Sequence, residues 1–212
     1  MHDRRTFLAQ VGGAAAGAML FDPAELRAGT AAAHAGAWDT SWLDRLATAK
    51  YRAVFNGSDI NDGAILDLVA TFFDGYRDAH GSPDADLRPV VVFRRLGTVM
   101  AFNDAMWDKY GVGADRGVKD HGAPARRNVF WKADPGRSAT IEALQRRGLI
   151  VLVCNIATTN VAHGIAQKTG QDPDTVYNEV KANLVPGAIL VPSGIYGLIR
   201  AQNAGCAYMH VS

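Results

Sequence analysis

The chain has 212 residues, 48% hydrophobic and 20% charged, with a formal net charge of +1. That length and composition suit a globular protein with one well-covered core, and a near-neutral balance gives no electrostatic case for nucleic acid or an anionic membrane. Two cysteines exclude a disulfide-dense scaffold and a cysteine-rich zinc site, and the six histidines show no paired metal spacing, so no metal is expected.

The first 35 residues read as an address label. "DRRTFLAQ" carries Arg4, Arg5, Phe7 and Leu8, the pattern of a twin-arginine export signal. The Ala- and Gly-rich "VGGAAAGAML" follows, too short and too mild for a stable membrane span. Ala33-His34-Ala35 fits a small-x-small cleavage site, leaving residues 36–212 as one exported, periplasmic domain. Within it, 36–50 predicts a lead-in helix with Trp42, Leu43 and Leu46 on one side, and 51–56 ("YRAVFN") a first strand. Ile65, Leu66, Leu68, Val69, Phe72, Phe73 and Tyr76 then repeat at helical spacing, and Gly81 is placed to end that helix.

"RPVVVFRR" (88–95) predicts a second strand and "TVMAFNDAMWDKYG" a single helix. Residues 111–136 break the rhythm. They are rich in Gly, Pro and charge, and loops of that length inside a domain are usually functional or mobile. "RSATIEALQRRG" resumes as a helix with Ser138 as N-cap. It feeds "LIVLVCN", five consecutive apolar residues reading as a strand buried on both faces and delivering Cys154 and Asn155 at its carboxyl end. Thr158 or Thr159 is placed to cap the next helix. Asp172 and Pro173 open another, "GAILVP" (187–192) is a fourth strand, Ser193 opens a last helix, and "CAYMHV" is a fifth strand. Strand alternates with helix throughout. That order predicts a single three-layer α/β domain with a five-stranded, mainly parallel sheet.

Ligands of open α/β sheets bind beyond the carboxyl ends of the strands, and helix N-termini are settings where nucleophilic thiols occur. Cys154 is therefore the candidate catalytic residue, against an inert cysteine packed as a small hydrophobe. Arg94, Arg95, Asn155 and Ser193 stand at strand ends as candidate ligand-binding residues, and His121, in the long loop, as a candidate acid or base. The turn "FNGSDINDG" matches neither G-x-G-x-x-G nor a Walker loop, and no cofactor is expected.

Three stretches, "RGLIVLVCN", "VPGAILVPSGIYGLIRAQNAG" and the terminal "CAYMHV", resemble the DsrE/DsrF-like sulfur-relay family. The resemblance runs over roughly residues 51–211 and implies a flavodoxin-like or DsrE-like fold. It also implies a persulfide accepted and passed on by Cys154, a small sulfur-containing partner, and assembly as a trimer or hexamer. Helix side chains such as Ile195 and Leu198 are candidates for the subunit interface. The competing expectation is a non-catalytic exported module of the same fold that binds a small ligand or supports assembly. The two cysteines are expected not to pair, because on parallel strands they fall at opposite ends of the sheet.

Overall fold

The computed structural model describes residues 38–210. In chain order they form α1 (Trp42–Ala47), β1 (Tyr51–Gly57), α2 (Ala64–His80), β2 (Leu87–Phe93), α3 (Asp104–Lys109) and α4 (Val112–Arg116). A two-residue-per-strand hairpin follows, β3 (Lys119–Asp120) and β4 (Ala123–Pro124), then α5 (Ile141–Arg147), β5 (Ile150–Cys154) and α6 (Asn155–Thr169). The chain ends with α7 (Pro173–Ala182), β6 (Ala188–Val191), α8 (Gly194–Asn203) and β7 (Ala207–His210). The expected export signal, including Arg4 and Arg5, lies outside the described residues.

The central sheet has the order β6-β5-β2-β1-β7, and every pairing in it is parallel. Side chains alternate between its faces with period two, so both faces of the middle strands must be covered. Phe55, Val91, Phe93, Val151 and Val153 pack with α2, α5, α6 and α7. Val54, Val90, Val92, Ile150, Leu152 and Val191 pack under α1 and α8. Three layers result, as the alternation of elements predicts. Connections from β1 through β2 and β5 to β6 step one way across the sheet, and only the connection through α8 returns to place β7 beside β1. Right-handed crossovers put the helix of a returning connection on the opposite face, which is where α8 lies. Flavodoxin-type sheets follow the order 2-1-3-4-5; here the first four strands run consecutively, with the last outside β1.

Several local expectations change once tertiary contacts enter. The lead-in helix shrinks to α1, whose Trp42 and Leu46 are fully buried. The single helix expected over 98–111 is split. A 3₁₀ turn (Arg95–Ala101) is followed by extended backbone at Phe102 and Asn103, then α3. Phe102 forms a bridge with Leu184, and the Asn103 side chain caps α3 by accepting from the Met106 N–H at 3.1 Å. Trp107 reaches back from α3 to donate to the Val99 carbonyl at 3.0 Å, and burying so large a ring contributes about 2–3 kcal/mol.

Residues 111–136 hold α4 and the β3–β4 hairpin, and side chains beyond them tie the stretch to the core. Phe130 is fully buried against Trp107, and Asn128 spends its side chain on the backbone. It donates to the Met100 and Phe102 carbonyls at 2.7 Å each and accepts from the Phe130 N–H at 3.0 Å. These bonds satisfy a buried amide and fasten the stretch to the core. Ser138 does not cap α5: its hydroxyl donates to Asp67, while Thr140 accepts from the Ala143 N–H. Asp172 and Ser193 cap α7 and α8 as expected. Leu198 turns inward onto the sheet, so the outward apolar side chains of α8 are Ile195 and Ile199. Among the described residues no helix is long and apolar enough to cross a membrane.

Candidate functional site

Beyond the carboxyl ends of β2, β5 and β6 lies a cavity of about 660 Å³. Parallel strands all point their carboxyl ends to one rim, so residues far apart in sequence arrive together there. Phe93 pairs with Val153 across β2 and β5, which sets Arg94 level with Cys154, and Cys154 in turn pairs with Val191 of β6. Arg94, Arg95, Cys154 and Ser193 all line the cavity.

Cys154 ends its strand and begins its helix in a single residue. It is 6% exposed, its backbone is extended, and its Sγ accepts from the Ala157 N–H at 3.4 Å. The N-cap of α6 is thus Cys154 itself, not Thr158 or Thr159, because no residue intervenes between β5 and α6. Thr158 lies within the helix and donates back to the Cys154 carbonyl at 3.0 Å. Ser193 caps the neighbouring α8 by accepting from the Tyr196 N–H at 3.0 Å. Two helix N-termini therefore meet at one cavity, and each favours negative charge.

Arg94 is held from behind. Its Nε donates at 2.7 Å to Oδ1 of Asn56, which is 3% exposed, and Asn56 donates to the Tyr208 hydroxyl at 2.9 Å. Gly194 makes this path possible: a Cβ there would stand 2.7 Å from the Arg94 Cβ. Arg95 has a φ of 51°, a left-handed conformation costing a non-glycine residue about 1 kcal/mol. Strain of that kind collects at binding sites held by the surrounding structure.

The side wall is one face of α6. Ile156, Asn160, Gly164 and Lys168, spaced four apart, all line the cavity. Facing them are the 3₁₀ turn, through Leu96 and Val99, and α4, through Val112, Asp115 and Arg116. The beginning of the irregular 111–136 stretch is therefore part of the wall.

The two remaining sequence candidates lie elsewhere. Asn155 accepts from the Tyr177 hydroxyl at 2.7 Å, fastening α6 to α7, and is not part of the lining. His121 occupies the tip of the β3–β4 hairpin with its side chain 90% exposed, away from Cys154 and the cavity. In the same stretch Arg126 pairs with Asp108, and Arg127 with Asp120 and Asp134. Asn56, Arg116 and the α6 face are site residues that sequence reading missed. A signal existed for one of them: Asn56 is a polar residue closing an apolar strand. Among the described residues no three His, Cys, Asp or Glu side chains gather as a metal site.

No protein-family model matches the chain, and no curated protein matches it. Among solved structures it is similar to the protein of unknown function MTH1491 from Methanobacterium thermoautotrophicum, at 19% identity and a TM-score of 0.40, over 76% of this chain and 99% of that one.

Proposed function

We propose that the protein is an exported, thiol-based sulfur carrier or sulfurtransferase-like protein that holds a persulfide on Cys154. The observation that carries this reading is the seat of the Cys154 sulfur, at a strand's carboxyl end, against a helix N-terminus, on a cavity whose arginines have no carboxylate partner among the described residues. The resemblance to DsrE/DsrF-like proteins supports it, since Cys154 is the position where that family carries its persulfide.

In the first half-reaction the deprotonated Cys154 sulfur attacks the outer sulfur of a sulfane donor. A new S–S bond forms, the donor's S–S bond breaks, and the donor leaves with the electron pair, as sulfite from thiosulfate or a thiolate from an organic persulfide. No external oxidant is consumed, because the transferred sulfur keeps its oxidation level. An acceptor thiolate then attacks the outer sulfur of the Cys154 persulfide and regenerates the thiol. Donors and products are anions, which suits the cationic rim.

A second reading has its own support. Cys154 is nearly buried and its sulfur serves as a helix cap, as expected of a structural residue in a non-catalytic ligand-binding module. Intact-mass measurement separates the two. After exposure to thiosulfate, polysulfide or glutathione persulfide, the full chain gains the mass of one sulfur atom, reversibly with dithiothreitol. Cys206→Ser keeps the gain and Cys154→Ser abolishes it. A wild-type chain that gains no sulfur from any of the three donors rejects the sulfur reading.

Export is proposed from the first residues, and replacing Arg4 and Arg5 by Lys together should retain the precursor inside the cell. Assembly is proposed through outward apolar side chains: Ile195 and Ile199 are 55% and 52% exposed. A monomer in light scattering at tens of micromolar rejects it.

A further inference from the structure

We infer that the cavity binds an elongated amphipathic organic anion, its charged head on Arg94 and Arg95 and its apolar body along α6. The inference goes beyond the sulfur reading and does not require Cys154 to react.

Charge gives the first observation. The ionic side chains of the lining are Arg94, Arg95, Arg116, Lys168 and Asp115. Asp115 and Lys168 pair with each other at 2.5 Å, which leaves the three arginines without a carboxylate among the described residues. Among the described residues Arg94 spends only its Nε on the protein, so its two terminal nitrogens keep the fork that pairs with carboxylate, sulfonate or phosphate. Buried Asn56 fixes that fork in place.

Shape gives the second. From Ile156 to Lys168 the α6 wall runs twelve residues, about 18 Å. Between those ends the surface is largely apolar, through Val161 and Ile165 on α6 and Leu96 and Val99 opposite. Leu96 and Ile156 leave large apolar side chains open at the mouth, 44% and 57% exposed. A cavity of this size falls in the range of small-molecule sites, about 300–1,000 Å³, and far exceeds what an inorganic anion fills.

Gly164 gives the third. It stands in the interior of α6, where glycine is unfavourable relative to alanine, and nothing lies within 4 Å of where its Cβ would be. No packing demands a glycine there; its absent side chain keeps the wall clear.

The test is calorimetric titration of the full chain with octane-1-sulfonate, octan-1-ol and inorganic sulfate. Octane-1-sulfonate is expected to saturate one site, with the alcohol and sulfate each binding roughly tenfold more weakly or worse. Arg94→Gln should bring octane-1-sulfonate down to the level of the alcohol and leave the alcohol unchanged. Gly164→Leu should remove both organic probes while the circular dichroism spectrum stays that of wild type. Sulfate binding as tightly as octane-1-sulfonate, or an Arg94→Gln variant that binds it like wild type, overturns the inference. So does the absence of heat with every probe, the result expected if a second copy of the chain already covers the groove. Sulfur loading is read separately by mass, so loss of that reading leaves this one measurable, and the reverse.

Discussion

Cys154 and Cys206 are 6% and 7% exposed, and they sit in opposite chemical settings. Cys154 closes β5 at its carboxyl end, caps α6 through its sulfur and lines the cavity. Cys206 comes just before β7 at the amino end of the sheet, in one cluster with Leu198, Ala201 and Trp42, and among the described residues its sulfur makes no hydrogen bond. Burial pushes the Cys206 thiol up to about 11, with only partial relief from Arg52. Strands β2 and β1 lie between theirs, three spacings of about 4.8 Å each, and the two residues are at opposite ends, so the thiols cannot meet. Two cysteines buried to the same degree thus have different surroundings, because only the carboxyl end of a parallel strand opens onto helix N-termini and a cavity.

The largest expected difference is in labelling. At pH 8 a thiol titrating at about 11 is ionised in only about one molecule per thousand. Iodoacetamide on native protein should therefore modify Cys154 well before Cys206, as read by peptide mass mapping. Equal, slow labelling of both would erase the distinction and favour an inert Cys154.

The same substitution at the two sites should differ next. Cys206→Ser buries a hydroxyl among apolar side chains and should cost about 1–3 kcal/mol in urea unfolding. Cys154→Ser installs a favoured N-cap where sulfur already caps, and should change stability by less than about 0.5 kcal/mol. Comparable losses at both would show that capping plays no part at Cys154.

An effect of comparable size should appear in alkali. The unfolded chain ionises the Cys206 thiol near its ordinary value and the folded chain only near 11, so rising pH over that window favours unfolding. The stability associated with this thiol is complete below the window and gone above it. Cys206→Ala should flatten the wild-type decline between about pH 9 and 11, and an unchanged slope would assign that decline to other groups.

The smallest expected effect concerns the groove beside Cys154. Gly164→Ala should stabilise the fold by about 0.5–1 kcal/mol, because it removes a helix-interior glycine into open space. A destabilised variant would show that the position is packed rather than cleared.

Local patterns in the sequence were enough for the five strands, the alternation that covers both faces of the sheet, and the caps at Asp172 and Ser193. Each depends on spacing within a few residues: a short apolar run such as "LIVLV", or an acceptor placed before an apolar period. Arg94, Arg95, Cys154 and Ser193 were legible as strand-end residues for the same reason, since parallel strands send all carboxyl ends to one rim. Other features needed contacts between distant segments. Phe102 leaves helical geometry to bridge Leu184, residues 111–136 are fixed by the Asn128 hydrogen bonds, and Arg94 is steadied by Asn56 and passes Gly194. His121 looked placed to serve Cys154 only because a loop's destination has no periodicity to read; the hairpin carries it into solvent. Cys154 itself shows the division most sharply. Its strand was visible in five apolar residues, but its role as cap of α6 followed from the strand ending and the helix beginning with no residue between them, which the packing of both on one sheet decided.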